Sequence, residues 1–450
     1  MSKNIKAREA ALNVLWEVDI KGAYLDLALK GQLQKTNLGD RDRALVTEIS
    51  YGVIRYLLTL DWYIEKTAGR KISTIDPIIK NILRLSLYQV IFLKKIPAPA
   101  ACYEGVELAK KTGHKGGVNF VNGVLRGFLR KREGLKFPAK EKNPLKYLSL
   151  KYSFPSWMVE RWAIRFGFTE CQDILRNNNN RAPLTVRVNT IKIQRNKLIE
   201  ALENEGVDAE EGIIPESLIL KRVRSLSSLE SYKKGLFQVQ SQSSMLVSRL
   251  LDPRPEEIIL DSCSAPGGKA AHIAQLMDNR GRVVSRDIYP HKVKLIEKNA
   301  SRLGINILDP EVGDSRKLPS SFCGIFDRVL VDAPCSGLGI IRRKPDLKWK
   351  RNPEDIKELS CLQASLLREA AKALKPGGTL LYSLCTNEPE ETEEVFQEFC
   401  QDNDNFYPSD LSVFLPEQLE IEGGEKGYLN LFPHRHGLDG FFIARWIKER

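Results

Sequence analysis

The chain has 450 residues, enough for two or three domains, and its 42% hydrophobic and 8% aromatic residues exclude a disordered protein. Its net charge of +12 lies in the first third, because residues 1–140 hold 25 Lys and Arg against 13 Asp and Glu, whereas the remaining residues hold 44 of each sign. A basic segment beside a neutral one is typical of a protein that binds nucleic acid, although a soluble, lysine-rich helical domain explains the charge equally well.

The cysteines, the histidines and the apolar stretches limit the kinds of site and the location. Eight cysteines and five histidines form no C-x-x-C pair and no metal-ligand spacing. The N-terminus lacks a signal peptide, and the most apolar stretch, residues 78–93, is too short and too polar to span a bilayer. We therefore expect a cytoplasmic protein with reduced thiols and with neither a metal nor a membrane partner. Because no heptad pattern requires a dimer, we expect a monomer.

The spacing of apolar residues predicts three domains. Residues 1–133 repeat apolar positions at helical spacing, which predicts an all-α domain. A polar linker over 134–146 follows. Residues 148–236 mix helical and alternating patterns, which predicts a small α+β module. Within 237–450, strand-like runs alternate with helical patterns, as in a doubly wound α/β domain.

Short motifs follow the predicted strands of the α/β domain. The predicted strands are 257–261, 282–286, 327–332, 377–384 and 440–446. Open α/β sheets bind ligands at the carboxyl ends of their strands, so residues that follow these runs are candidate site residues.

A glycine-rich loop follows the first of these strands. Its sequence is Cys263-Ser264-Ala265-Pro266-Gly267-Gly268-Lys269, and a helix begins directly after it. Small residues let the backbone approach a ligand, and the N–H groups of a helix start favour a carboxylate or a phosphate. The loop lacks the spacing of a Walker A or a dinucleotide motif.

Two acids further along the chain are candidate ligand contacts. Asp287 lies where an acid commonly binds ribose hydroxyls, and a simple turn residue is the alternative. Asp314 suits a contact with an adenine edge, and a turn explains it equally well.

Two cysteines at strand ends form the most specific pattern. Cys335 follows Asp332-Ala-Pro, and Cys385 follows Tyr382-Ser-Leu. A lone cysteine is usually a small buried apolar residue. Two cysteines at strand ends, one of them near a carboxylate, instead predict a thiolate nucleophile. The basic residues between 342 and 350 either hold phosphates or form a solvated face.

These motifs resemble those of the RNA 5-methylcytosine methyltransferases. The resemblance rests on the run from Asp261 to Lys269, on Asp332-Ala-Pro-Cys335, and on Tyr382-Ser-Leu-Cys385 with Pro389-Glu-Glu391. The whole chain is similar to the bacterial RsmB (Sun or Fmu) type, which methylates a cytosine in small-subunit (16S) ribosomal RNA. The resemblance implies a NusB-like RNA-binding domain over 1–133, an RNA-recognition-like module over 148–236 and a Rossmann-like methyltransferase domain over 237–450.

The same resemblance implies a cofactor, a chemistry and roles for the residues. S-adenosylmethionine would be the methyl donor, and the residues that contact it would be Cys263, Ser264, Ala265, Pro266, Gly267, Gly268, Lys269, Asp287, Asp314 and Asp332. Cys385 would add to carbon 6 of the cytosine, Cys335 would act in the release step, and Asp332 would hydrogen-bond the ring. The base must be unstacked, so single-stranded or loop RNA is the expected substrate.

A few positions depart from the family pattern. These are Ser264, Ala270, Leu384 and Thr392, and none of them removes a chemical group that the mechanism needs. The catalytic loops leave transfer RNA open as an alternative substrate, because specificity should lie in the first two domains. A non-catalytic RNA-binding assembly factor is the second alternative, and the intact cysteines and acids argue against it.

Overall fold

The structure is a computed structural model that describes residues 6–114, 116–223, 225–419, 421 and 423–450. It consists of two compact units, one with the residues up to Arg181 and Ile341–Lys350, the other with Ala182–Ile340 and Arg351–Arg450. Within the described ranges, every helix is too short or too polar to cross a membrane.

The first unit is helical, as the apolar spacing predicts. Its helices up to residue 178 are α1 (Ala7–Asp19), α2 (Leu25–Lys35), α3 (Asp40–Arg55), α4 (Leu57–Ala68), α5 (Pro77–Phe92), α6 (Ala98–Lys111), α7 (Gly117–Lys131), α8 (Pro144–Tyr152) and α9 (Ser156–Asn178). Helix α5 begins where the Asp76 carboxylate accepts the N–H of Ile78 at 2.9 Å and Pro77 takes the first helical position. Its apolar residues lie in one core with those of α1, α3, α4 and α7.

The segment 341–350 is part of this helical unit. Lys348 is buried, donates to the carbonyl of Arg55 at 2.7 Å and lies 3.9 Å from the ring centre of Phe154. Trp349 donates its indole N–H to the carbonyl of Ile54 at 2.7 Å. Because burial lowers the pKa of Lys348 well below its usual value, neither a phosphate contact nor a solvated face describes this lysine. Its hydrogen bond to Arg55 connects the segment 341–350 to α3.

The second unit contains two sheets. Its strands are β1 (Leu184–Val188), β2 (Asp208–Glu211), β3 (Ser217–Lys221), β4 (Phe237–Val239), β5 (Ile258–Asp261), β6 (Arg282–Asp287), β7 (Leu308–Val312), β8 (Phe326–Asp332), β9 (Leu374–Leu384), β10 (Phe406–Pro408), β11 (Tyr428–Leu431) and β12 (Phe441–Lys448). The small sheet is antiparallel with the order β2-β3-β1-β4, and the large sheet has the order β10-β12-β9-β8-β5-β6-β7, with β11 paired to β12.

Helices connect these strands. After α9 they are α10 (Arg195–Asn204), α11 (Glu230–Lys233), α12 (Gln242–Leu251), α13 (Gly268–Leu276), α14 (Pro290–Leu303), α15 (Leu347–Lys350), α16 (Pro353–Ala373), α17 (Glu393–Asp402) and α18 (Pro433–His436). Of these, α15 lies in the first unit. The large sheet is covered on both faces: Leu330 packs into one core, whereas its neighbours Val329 and Val331 pack into the other.

The five strands predicted for the α/β domain are confirmed. Strands β7, β6, β5, β8 and β9 run parallel, so that their carboxyl ends meet at one edge, and β12 pairs antiparallel with β9. The apolar spacing missed β7, because its sequence Leu-Asp-Pro-Glu-Val is only half-buried and contains a proline, which is tolerated at a sheet edge. Chain order reverses at β5, which lies between β6 and β8, and such a switch point is the usual ligand crevice.

Candidate active site

The glycine loop connects β5 to α13 and depends on its first glycine. Gly267 has φ +89°, and a Cβ there would lie 3.1 Å from Cγ2 of Ile296 and 3.2 Å from its Cα. A Cβ at Gly268 would meet nothing within 4 Å. The space beside Gly268 is therefore open, and the first N–H groups of a helix have no partner within the helix, so a carboxylate bound there can accept them.

A buried arginine holds the start of α13. Arg187 of β1 donates to the carbonyl of Gly268 at 2.9 Å and to Oε1 of Gln275 at 3.1 Å, and it also contacts Oε1 of Gln240. Gln275 returns a hydrogen bond to the carbonyl of Val188 at 2.9 Å. Burial lowers the pKa of Arg187 to about 9. The small sheet thus fixes the helix that carries the glycine loop.

The next two strands end in a carboxylate and in exposed apolar side chains. Asp287 is buried at the end of β6, and its carboxylate accepts the N–H of Tyr289 at 3.0 Å. Ile288, Tyr289 and Val312 are 47%, 51% and 54% exposed. A carboxylate can accept ribose hydroxyls and apolar side chains can cover an aromatic base, so these residues fit a nucleoside.

The remaining predicted cofactor residues lie around the same crevice. Asp314 follows β7 and accepts the backbone N–H of Arg316 at 2.9 Å and its side chain at 3.0 Å, which holds the pKa of Asp314 below its usual value. Ser264 donates its N–H to the carbonyl of Arg286 at 2.7 Å. The carbonyl of Pro266, which follows Ala265, accepts from Nδ2 of Asn299 at 2.9 Å.

Cys263 differs from the two cysteines of the other motifs. Burial, with the charges of Asp261 and Asp332, raises its pKa far above the usual range of a thiol. Its side chain therefore stays a neutral thiol that lines the glycine loop, and it is not a nucleophile.

Asp332 connects the glycine loop to the cysteines. As the last residue of β8, it accepts from Nζ of Lys269 at 2.7 Å through one carboxylate oxygen and from Oγ of Ser383 at 2.7 Å through the other. Although burial opposes the charge of Lys269, the Asp332 carboxylate raises the pKa of this lysine above its usual value. The pair brings one cation and one anion close to the two thiols.

The two predicted cysteines lie side by side. Their Sγ atoms are 3.3 Å apart, Cys335 in the loop after β8 and Cys385 directly after β9. A hydrogen bond from Cys335 lowers the pKa of Cys385 below its ordinary value, and the nearby Lys269 acts in the same direction. The same hydrogen bond, with burial, raises the pKa of Cys335. Of the pair, Cys385 is therefore the thiol that loses its proton more readily.

Comparison with known proteins gives the family. The model of 16S rRNA methyltransferase RsmB/F matches residues 248–447, that of the NusB family matches 5–130, and that of an RsmF/B-like ferredoxin-like domain matches 154–227. The probable ribosomal RNA small subunit methyltransferase B of Bacillus subtilis is 42% identical over 99% of this chain and 100% of its own. The chain belongs to the RsmB/F family of 16S rRNA methyltransferases.

Other proteins match all or part of this RsmB/F chain. The ribosomal RNA small subunit methyltransferase B of Cronobacter sakazakii is 34% identical over all of both chains. The crystal structure of PH0851 matches with a TM-score of 0.81 and 28% identity over 100% of both chains. That of NSun6 from Pyrococcus horikoshii with SFG matches at 0.60 and 25% identity over 66% of this chain and 99% of the other.

The matches confirm the family resemblance and the predicted fold. A NusB-like helical part, a small ferredoxin-like α+β part and a methyltransferase part with a mixed sheet are all present. Two buried charged residues, Arg187 and Glu391, support the loops, and the sequence motifs did not predict this role. Glu391 belongs to the motif Pro389-Glu-Glu391, and Arg187 lies in a run that alternates like a strand. Neither pattern predicts that the residue supports a loop. A charged residue inside an otherwise apolar run is the signal that could have identified Arg187.

Proposed function

We propose that this RsmB/F chain transfers a methyl group from S-adenosylmethionine to carbon 5 of a cytosine in small-subunit ribosomal RNA, through a covalent bond between Cys385 and carbon 6. The observation that carries the proposal is the pair of Sγ atoms 3.3 Å apart at the carboxyl ends of β8 and β9. The glycine loop follows the adjacent strand β5, so a methyl donor bound there lies beside the pair. The names of the full-length relatives support ribosomal RNA as the substrate.

Cys385 begins the reaction. Carbon 5 of cytosine is a poor nucleophile until a thiolate has added to carbon 6, and Cys335 and Lys269 lower the pKa of Cys385, which favours its thiolate form. Addition moves the electron pair of the carbon 5–carbon 6 double bond onto carbon 5, and conjugation spreads the negative charge to ring nitrogen 3 and oxygen 2. Lys269, held by Asp332, supplies an N–H donor and a positive charge near this position. S-adenosylmethionine supplies the methyl group as an electrophilic sulfonium carbon.

Cys335 acts after methyl transfer. Carbon 5 then carries both a proton and the new methyl group. When a water molecule takes this proton, the electron pair of the carbon–hydrogen bond forms the carbon 5–carbon 6 double bond. The carbon–sulfur bond then breaks, and Cys385 departs as a thiolate to which the neighbouring Cys335 thiol can donate a hydrogen bond. We assign the release step to Cys335, because its thiol is next to the sulfur that must leave.

Substitution of the two cysteines tests the covalent mechanism. We expect Cys385→Ala to lower turnover at least about a thousandfold while S-adenosylmethionine still binds, because no other thiolate reaches carbon 6. We expect Cys335→Ala to accumulate an RNA–protein adduct that a denaturing gel shows as a retarded band. Cys361→Ala, at an exposed cysteine, is the matched control. An active Cys385→Ala enzyme would contradict the covalent role.

Bisulfite sequencing of RNA from cells with and without the gene tests the substrate. Methylation at carbon 5 protects a cytosine from conversion, so one protected position in small-subunit ribosomal RNA should disappear without the gene. Loss of protection in a transfer RNA instead would keep the chemistry and reject the substrate. No change in any RNA would favour a non-catalytic assembly factor.

The proposal extends to the whole chain. We assign ribosomal-RNA binding to the domains 1–133 and 148–236, and methyl transfer to 237–450, in a cytoplasmic monomer. The basic charge of the first third supports an RNA contact there. Light scattering at micromolar concentration should give 51.0 kDa, the mass of one chain.

A further inference from the structure

We infer that Glu391 is a positioning residue for the release step: its buried carboxylate and Arg351 hold the backbone of Cys335 and Ser336, and so place the Cys335 thiol against Cys385. This inference rests on the covalent mechanism proposed above. Glu391 lies between β9 and α17 and is fully buried. It touches neither thiol directly and acts through the loop.

The Glu391 carboxylate accepts from both polar hydrogens of Ser336, the residue after Cys335. The backbone N–H of Ser336 donates to it at 2.8 Å, and the Ser336 hydroxyl donates to its other oxygen. Gln363 of α16 also donates to Glu391, at 3.0 Å, and to the carbonyl of Pro334 at 2.9 Å. The hydroxyl of Tyr382 in turn fixes the backbone carbonyl of Glu391, at 2.8 Å.

Arg351 contacts the other side of the same loop. Its Nε donates to the carbonyl of Ser336 at 3.0 Å, and its Nη2 donates to the carbonyl of Cys335 at 3.3 Å. The carbonyls from Pro334 to Ser336, and the Ser336 N–H, are thus all held by side chains. A cysteine side chain has a single torsion, so a fixed backbone leaves its Sγ few positions.

The Ser336 hydroxyl also connects the two cysteine loops. It donates to the Glu391 carboxylate and lies 2.9 Å from the hydroxyl of Thr386, the residue after Cys385. Although burial raises the pKa of Glu391, Ser336 and Gln363 supply the donors that favour its charged form.

The two cysteines depend on this support to different extents. Cys385 directly follows β9, whose last residue Leu384 still pairs with Phe442 of β12. The Cys335 loop has left the sheet at Asp332, three residues earlier. Loss of Glu391 should therefore displace Cys335 more than Cys385, and should slow release more than attack.

Glu391→Gln tests the inference, because glutamine keeps the shape but replaces one acceptor oxygen with an N–H donor. With a small-subunit ribosomal RNA transcript, we expect steady-state turnover to fall at least about tenfold. First-turnover methyl transfer and the KM for S-adenosylmethionine should stay within about threefold. The RNA–protein adduct should accumulate on a denaturing gel. Glu394→Gln, at an exposed glutamate of α17, is the matched control and should behave as wild type.

Two further variants separate positioning from a merely structural effect. Arg351→Met removes the other support and should give the same adduct. In a Cys335→Ala background, Glu391→Gln should change the adduct lifetime no further, because the thiol on which it acts is gone. An additional change in that background, or an equal loss of first-turnover transfer, would overturn the inference.

The failure of this inference is distinguishable from failure of the proposed function. If Cys335→Ala traps an adduct but Glu391→Gln turns over like wild type, Glu391 has no positioning role and the covalent mechanism stands. If Cys335→Ala gives no adduct and Cys385→Ala stays active, the covalent mechanism fails and the inference fails with it.

Discussion

The glycine loop after β5 and the cysteine loop after β8 lie at the ends of neighbouring parallel strands, yet they are held in different ways. The glycine loop runs directly into α13, and its support is a cation, Arg187, that donates to the carbonyl of Gly268. The cysteine loop has no helix at its end, and its main support is an anion, Glu391, that accepts from Ser336.

The difference follows from what each loop must leave open. At the start of a helix the N–H groups have no partner, and they can bind an anionic part of the ligand only if the protein does not use them. Arg187 therefore donates to a carbonyl, and the N–H groups at the start of α13 stay available to a ligand. The cysteine loop presents a side chain rather than its backbone, so side chains can hold its backbone on both sides. A carboxylate such as Glu391 could not support the Gly268 carbonyl, which needs a donor.

The largest effect that we expect on the glycine loop comes from Arg187→Met. This change leaves the Gly268 carbonyl and two buried amide oxygens without their donor, so the free energy of unfolding should fall by about 3 kcal/mol. Urea denaturation measures it, and titration calorimetry should show weaker binding of S-adenosylmethionine. Arg254→Met, at an exposed arginine paired with Asp252, is the control and should cost under about 1 kcal/mol. Equal losses for both arginines would remove the role given to Arg187.

A smaller effect separates the two glycines. Gly267→Ala puts a Cβ at positive φ and against Ile296, so we expect the free energy of unfolding to fall by about 1–3 kcal/mol. Gly268→Ala meets no protein atom, so stability should stay within about 0.5 kcal/mol while cofactor affinity falls, because the added methyl occupies the open space at the helix start. Thermal unfolding and calorimetry with S-adenosylmethionine measure the two quantities. Equal stability of the two variants would contradict the constraint at Gly267.

The difference between the two loops also explains which of their features could be predicted from the sequence. The glycine loop and both cysteine motifs are local runs, and five strands follow from apolar spacing, so these were predicted. The supports are remote: Arg187 is 81 positions from Gly268, and Glu391 is 55 from Ser336. No local pattern pairs such residues, since their contact exists only after β1 packs near α13 and the chain returns after β9. The edge strand β7 was missed because its burial is only partial.

The smallest effect that we expect is on the acidity of Cys385, and it tests the contact between the two loops. Lys269 belongs to the glycine loop, and its positive charge helps to lower the pKa of Cys385. Lys269→Met should therefore raise that pKa, because the charge of Asp332 then acts on the thiol without the lysine, and the thiolate fraction at neutral pH should fall. Alkylation of Cys385 by iodoacetamide, followed by mass spectrometry from pH 6 to 10, measures the midpoint without cofactor or RNA.

The pH dependence of that alkylation separates charge from distortion. A pure charge effect slows alkylation up to about tenfold on the acidic side and leaves the rate unchanged once Cys385 is fully ionised at high pH. A distorted site would slow it at every pH. Lys294→Met, at an exposed lysine of α14, is the control and should leave the midpoint in place. An unchanged midpoint in Lys269→Met would mean that the glycine loop positions the cofactor alone, and that the cysteine pair sets its own acidity through the hydrogen bond between its two sulfurs.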